Sequence, residues 1–400
     1  MGEWRETTLG EICSQGGGGI QTGPFGSQLH ASDYVLDGIP SVMPKNIGDN
    51  IIIEDDIARI APHDAQRLSK YLLSVGDIIY SRRGDVEKRA LVRPEHEGWL
   101  CGTGCLRVRF GSESDSDPRF VSYLLGTEEV RAWIVRHAVG ATMPNLNTSI
   151  LNDTPLTIPE IGEQRAIAEV LGALDDKIAA NTTLASTADE LVRAWYGKVS
   201  TTTDATTTVA TLATRSRTPA APSELTDNVA YVGLEHVPRR QMWLDDSGTA
   251  ASVTSTKTRF AKGDVLFGKL RPYFHKVTSA PFDGVSSTDI LAVRASDTRL
   301  SGFVLAALSS DAVVERCTAA SEGTRMPRTS WTTLSSIEVP WPGEQAARAM
   351  SQRIDAVRDH VEAALAENRT LAATRDTLLP ALMSGALRVR DAERVVESAL

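Results

Sequence analysis

The residues best suited to bind something lie in two short segments, SRRGDVEKR with Arg82, Arg83, Lys88 and Arg89, and GKLRPYFHK with Lys269, Arg271, Tyr273 and Lys276. Each follows a short β-rich run, GDIIY or GDVLF, which places its cations on a loop at one end of a sheet. Guanidinium forks in such a place suit guanine edges and phosphate oxygens alike, and Tyr273, Phe274 and His275 add planar groups. The chain as a whole is acidic, with 42 Lys+Arg against 51 Asp+Glu and a net charge of −9. Locally the sign reverses. Residues 68–110 hold eight basic against five acidic side chains, and residues 257–294 hold seven against three. For any one residue an ordinary solvated loop charge explains as much; recurrence at the same place in both halves is what favours nucleic acid.

Catalysis is harder to place. No GxxxxGK[ST] loop, GxSxG elbow, HExxH pair or EF-hand loop occurs, and the Gly-rich GGGGIQTGPFG at 16–26 lacks the lysine that would reach phosphates. That stretch reads as a flexible or turn-forming loop. Glu54-Asp55-Asp56 reads as a solvated turn, and Asp175-Asp176 as the outer face of a helix, so neither is taken as a metal site. Asp77 with Glu87-Lys88-Arg89 lacks the spacing of a nuclease set. Cys13, Cys101, Cys105 and Cys317 form no CxxC pair. If GWLCGTGCLRVRF is one strand, Cys101 and Cys105 lie about 13 Å apart, too far for a disulfide, and the cysteines are reduced structural thiols. No metal and no cofactor are expected on this chain.

These loops belong to a unit that occurs twice. Gly76-Asp77-Ile78-Ile79-Tyr80 recurs as Gly263-Asp264-Val265-Leu266-Phe267. Gly140-Ala141-Thr142-Met143-Pro144 recurs as Gly323-Thr324-Arg325-Met326-Pro327, and Ile158-Pro159 with Glu163-Gln164 recurs as Val339-Pro340 with Glu344-Gln345. Three anchors in one order mark a duplication. Because the basic loops differ while the anchors agree, the two copies are expected to bind two different things or two different DNA sequences. The pre-helix anchor adds Thr142, Asn145, Arg325 and Arg328 to the candidate DNA-binding residues.

Each copy combines short strands and short helices, an α+β domain, with one long helix. From Ile167 an apolar residue returns at alternating four and three residue steps, including Leu171, Leu174 and Ile178, with Asn181 the exception. From Ala347 the same rhythm takes in Ile354, Val357, Val361 and Leu371, with Asn368 and Arg375 the exceptions. Such a 3.5-residue repeat is a coiled-coil seam, although a single amphipathic helix lying on a globular core has similar spacing. Helices over about 161–196 and 343–379 would each be roughly 54 Å long, and Pro380 should stop or kink the second. The resulting division is 1–158 and 209–339 for two recognition domains, 159–199 and 340–400 for two spacer helices with a C-terminal tail, and 200–208 (STTTDATTT) for a low-complexity linker. No 18-residue apolar run and no signal-like start are present, so a cytoplasmic protein is expected.

Together these motifs resemble the specificity (S) subunit of type I restriction-modification systems. The pieces that carry the likeness are IPEIGEQRAIAEVLGALDDKI (158–178), VPWPGEQAARAMSQRIDAVRDHV (339–361), GDIIYSRRG, GDVLFGKLR, GATMPNL, GTRMPRT and GPFGSQL (23–29). The second copy has no GPFGS equivalent and carries Trp341 at its helix entry. The resemblance implies two similar target-recognition domains separated by two antiparallel helices with a pseudo-twofold repeat. It also implies a non-catalytic chain that reads a bipartite, asymmetric double-stranded DNA target. Two methyltransferase (modification) subunits would dock on it, a restriction-translocation subunit could join them, and S-adenosylmethionine, ATP and magnesium would reside on those partners. The other readings are a coiled-coil scaffold that organises proteins without reading DNA, and an enzyme such as a nuclease.

Overall fold

A computed structural model describes residues 4–140, 142–321 and 326–397. The chain folds as two compact units, residues 1–176 with 371–400, and residues 177–370. The architecture is α+β, as the sequence predicts, with two sheet-rich regions and two long helices, Ile161–Thr202 and Glu344–Met383.

In the first unit a five-stranded sheet runs Gly19–Thr22, Cys105–Arg109, Ile78–Ser81, Arg89–Leu91, Asp49–Asn50. Beside it lie a four-stranded sheet and a two-stranded ribbon pairing Arg5–Thr8 with Pro155–Ile158. In the second unit a four-stranded sheet runs Ala213–Arg215, Ile290–Ala295, Val265–Gly268, Val277–Ser279. A five-stranded sheet and a ribbon of Thr206–Thr208 with Glu338–Pro340 complete it. The residues expected to form a free linker are therefore structured. Residues 200–202 continue the helix, and the threonines beyond Ala205 pair as a strand because β-branched side chains fit a pleated ribbon.

The duplication holds at the level of single hydrogen bonds. Gly76 (φ 86°) and Gly263 (φ 85°) both turn the chain into the central strand in a conformation that favours glycine. The next residue, Asp77 or Asp264, is buried and accepts a backbone N–H three residues upstream at 2.8 Å, from Ser74 or Ala261. Each aspartate also takes two hydrogen bonds from an arginine of the neighbouring strand, Arg109 or Arg294. These arginines belonged to the locally basic counts, yet their charge is spent inside the frame. Arg93 on Asp176 and Arg107 on the Lys70 and Leu72 carbonyls are spent in the same way.

The long helices are longer than expected. The first runs to Thr202, and the second passes through Pro380 to Met383, so the proline sits in the last turn and does not end it. Their polar interruptions turn out to be matched. In the second unit Asn181 Nδ2 donates to Asn368 Oδ1 (2.9 Å), to Glu367 Oε2 (2.7 Å) and to the Ala364 carbonyl, and both asparagines are buried. In the first unit Arg375 donates to Asp175 at 2.8 Å, and the Tyr123 hydroxyl donates to the same carboxylate at 2.6 Å. Asp175 is thus a buried network residue and not on an outer face; Asp176 does face outward. Within the second unit Asn181 meets the Ala364 carbonyl and Asn368 the Ile178 carbonyl, so rising numbers of one helix meet falling numbers of the other, an antiparallel pairing.

Of the seam residues, Ile167, Leu171, Leu174, Ile354, Val361 and Leu371 are buried, and Ile178 and Val357 are half-buried. Ile354 and Val361 share one cluster with Ala185, Val192, Phe303, Val304 and Leu308. The apolar stripe of the second helix therefore serves two neighbours, the first helix and the globular core of its own unit. Both readings of the 3.5-residue rhythm hold, because one stripe is broad enough to meet a helix and a sheet-rich body together.

Candidate nucleic-acid interface

Each unit has the same loop junction at the end of its central strand, away from the buried aspartate. In the first, Arg82 N–H donates to the Gly104 carbonyl (2.8 Å), Leu146 N–H to the Arg82 carbonyl (2.9 Å) and Gly84 N–H to the Pro144 carbonyl (3.1 Å). In the second, Lys269 N–H donates to Asp289 (2.7 Å), Thr329 N–H to Lys269 (3.1 Å) and Arg271 N–H to Pro327 (2.8 Å). The bonds superpose residue for residue. Arg82 corresponds to Lys269, Asn145 to Arg328, and Gly84 to Arg271. Of the loop cations, Arg82 and Lys269 therefore hold matching places, whereas Arg83 and Arg271 do not.

The correspondence of Gly84 with Arg271 has a cost. Gly84 has φ 77° and Arg271 has φ 50°, both in the left-handed region, where a side chain costs roughly 1–2 kcal/mol. Glycine accepts that turn freely, whereas Arg271 holds it while projecting a guanidinium beside Phe274, 5.9 Å from the ring. His275 (φ 52°) adds a second left-handed residue. Strain of this sort gathers where a side chain has work to do.

The candidate residues separate into two groups. Arg83, Lys88, Thr142, Tyr273 (50% exposed) and Arg328 are exposed, and Arg82, Asn145, Lys269 and Arg271 are half-buried. Among the described residues, Arg82, Arg83 and Arg271 have no carboxylate within ion-pair distance, and the buried Nε atoms of Arg82 and Arg271 have no hydrogen-bond partner. Lys88 pairs with Asp85 at 2.9 Å and Arg328 with Asp289 at 3.3 Å, exposed contacts that a phosphate could displace at small cost.

Two predicted residues leave the site. Arg89 is buried, its Nε on the Ser122 carbonyl (2.6 Å) and its Nη1 on Asp49 (2.8 Å), and it packs so closely under Gly126 that a Cβ there would clash. Lys276 gives its ammonium to the Leu234 carbonyl, and burial lowers its pKa. Lys269 is also lowered by burial, with Asp289 opposing the shift. Arg325 lies outside the described residues.

Several neighbours were not foreseen. Phe25 of the GPFGSQL segment is 53% exposed and stands 5.8 Å from the Arg82 guanidinium. Arg239 lies over Phe274 at 4.2 Å. In the second unit, which lacks that segment, the ring beside the loop cations is the local Phe274. Phe25 was legible as an aromatic in a Gly-rich loop, but its meeting with Arg82 spans 57 residues and shows only in the fold. The cysteines are free and buried, and burial pushes the Cys101 thiol up to about 12. Cys101 and Cys105 sit on two strands either side of a turn at Gly104 (φ 85°), not on one. The Gly-rich stretch likewise contributes the strand Gly19–Thr22. Among the described residues, no group of acids, histidines and cysteines could hold a metal ion, and no helix is long and apolar enough to cross a membrane.

Residues 1–188 match the family model for the type I restriction modification DNA specificity domain. The chain is 31% identical over 104 residues to the type I restriction enzyme EcoDI specificity subunit of Escherichia coli, covering 26% of this chain and 23% of that protein. Across 384 residues, 88% of each protein, it is 22% identical to the putative type I restriction enzyme MjaX specificity subunit of Methanocaldococcus jannaschii. The crystal structure of a type I restriction-modification S subunit from M. genitalium shares the fold, with a TM-score of 0.58 at 16% identity over 95% of this chain and 96% of that one.

Proposed function

We propose, for a chain that belongs to the type I restriction-modification specificity-subunit family, that each of its two units reads one segment of a bipartite, asymmetric DNA target. The reading rests on one observation. An identical hydrogen-bonded frame carries different tips, Arg82, Arg83 and Asn145 in one unit and Lys269, Arg271 and Arg328 in the other. Arginine is fitted to guanine and asparagine to adenine in the major groove, so different tips favour different bases. Exposed cations near them neutralise phosphates and set register without sequence information.

On this reading the chain performs no catalysis. Two methyltransferase subunits dock along the helices, with restriction-translocation subunits as further partners, and S-adenosylmethionine, ATP and magnesium act on those partners. A chain built as an internal repeat can offer similar surfaces to two copies of one partner. The helices, 42 and 40 residues, span about 63 and 60 Å at 1.5 Å per residue and would fix the unread gap between the two segments.

Gel-shift titration of the chain assembled with its modification partner tests this. Sequence-dependent binding that weakens steeply with salt is expected. A coiled-coil scaffold that only organises proteins would give assembly with no sequence-dependent shift. Inserting four residues after Ala180 is expected to change the tolerated gap, and an unchanged target would refute the spacer role.

A further inference from the structure

Two consecutive arginines of the second unit are used differently. Arg240 spends its charge inside the fold. Its Nη2 donates to Asp311 (2.9 Å), its N–H to the His275 carbonyl (2.9 Å), and its own carbonyl accepts from Arg193 (3.1 Å). Arg239 is exposed, and among the described residues no carboxylate lies within ion-pair distance of it. Its guanidinium stands 4.2 Å from the centre of the Phe274 ring; that of Arg271, also without a carboxylate, stands 5.9 Å from the same centre. Three of the five left-handed residues other than glycine among those described, Arg240, Arg271 and His275, hold this corner. Backbone strain gathered in this way is sustained where a geometry serves a contact.

The first unit builds the counterpart loop without such a cation. Residues 43–50 and 233–242 each follow a strand that pairs in parallel with a later one. Each loop opens with a backbone N–H held by a side chain three residues on, Met43 by Asn46 (3.2 Å) and Gly233 by His236 (2.9 Å). In the first loop the Lys45 ammonium is held on the Asp56 carbonyl (2.7 Å), and Asp49 pairs with Arg89 (2.8 Å).

We infer that Arg239 is a phosphate anchor of the second unit, holding the backbone of its DNA segment beside the bases that Arg271 and Arg328 read, and that the first unit has no equivalent. This rests on the DNA-reading role proposed above and adds to it a contact blind to sequence. Stacking on Phe274 covers one face of the Arg239 guanidinium and leaves its N–H fork open to a bidentate acceptor. A base edge is neutral and is matched by one fork. Two guanidiniums gathered on one ring with no carboxylate near are matched instead by a negative charge, which a phosphate supplies. Arg239 also comes from a different segment of the chain from Arg271 and Arg328, so it can fix the register of the duplex against the readers without taking a base from them.

The test uses the full chain assembled with its modification partner and two duplexes, one carrying the target mapped by methylation and one unrelated, titrated over a range of salt. Arg239→Gln removes the charge, and Arg239→Lys keeps it. The Gln variant is expected to weaken binding to both duplexes by about fivefold, and to make the fall of log affinity with log salt shallower by about 0.9, one phosphate contact. The Lys variant should retain the wild-type slope, and the methylation map should keep its base preference in both segments. Lys45→Gln in the first unit should leave the slope unchanged; an equal fall there would overturn the claim that the anchor belongs to the second unit alone. Unchanged affinity and slope in Arg239→Gln, while the wild type binds, would overturn the anchor and leave the DNA-reading role standing. Relaxed base preference would make Arg239 a reader, and loss of partner assembly would make it a protein contact; either overturns the inference. If the wild-type complex bound neither duplex, the DNA-reading role itself would fall.

Discussion

The two units agree in the residues that tie the central strand to its frame and differ at most of the residues at the tip of the loop that follows it. Gly76 and Gly263, Asp77 and Asp264, Arg109 and Arg294, and the Met-Pro turns repeat in kind and in bonding. Arg82 and Lys269, Asn145 and Arg328, and Gly84 and Arg271 occupy matching places with different chemistry. Even the repeated Glu-Gln at the helix entries diverges. Gln164 is buried and bonds the Pro159 carbonyl and Asp117 N–H, whereas Gln345 is exposed and Arg348 reaches Asp297 instead. A duplicated scaffold therefore tolerates change at any bond it can make in a second way, and the central aspartate is a bond made in only one way here.

The sharpest way to break this comparison is to remove that aspartate. Asp77→Ala strands Arg109, which is 33% exposed, and is expected to cost about 3 kcal/mol; Asp264→Ala strands Arg294, 52% exposed, and about 2 kcal/mol is expected because water screens it. Hydrogen exchange in Ile78–Ser81 and in Val265–Gly268 would read each loss locally, and equal effects would contradict the burial argument. Next come the polar breaks in the helix stripe. Asn181→Leu leaves the buried Oδ1 of Asn368 without its donor, while Nδ2 keeps its long bonds to the Ile178 carbonyl and Thr182, for about 2 kcal/mol; Asn181→Leu with Asn368→Leu should recover most of it, and a double variant worse than either single would show that more than the pair is involved.

A smaller effect is expected at the tips. Arg82→Ala or Arg271→Ala should weaken binding to one segment by roughly tenfold without loss of partner assembly. Arg271→Gly should weaken binding similarly yet raise stability by up to about 1 kcal/mol, because it relieves the left-handed strain. The smallest effect is in pH. His96 in one unit and His275 in the other are buried, and burial holds both pKa values below the ordinary histidine range against the pull of Glu95 and Glu54 on His96 and of the Ser309 carbonyl and Asp311 on His275. The unfolded chain then binds more protons below about pH 6.5, so the stabilisation present above that value is lost as pH falls through it. Thermal unfolding from pH 7.5 to 5.5 should show a decline that His275→Gln reduces.

The repeat, the α+β composition and the two long helices were legible because they reside in local order: glycine before aspartate, apolar returns at 3.5 residues, proline before helix. What was not legible depends on partners distant in sequence. Arg89 and Arg109 look like free cations until Asp49 and Asp77 meet them, and Asp175 looks solvent-facing until Tyr123 and Arg375 do. Counting charges in a window cannot distinguish a buried ion pair from a surface patch, so the predicted patches were larger than the ones that remain. The Gly84 and Arg271 equivalence was hidden for another reason, since φ is a property of the backbone that residue type only hints at.

The claim beneath all of this is that two unlike tips on one frame read two separate stretches of DNA. Mapping methylated positions produced by the assembled complex with the wild-type chain, with Arg82→Ala and with Arg271→Ala tests it most directly. Each variant is expected to relax base preference in one segment and leave the other intact, with the two variants affecting different segments. Relaxation of both segments by either substitution, or of neither by both, would contradict the account.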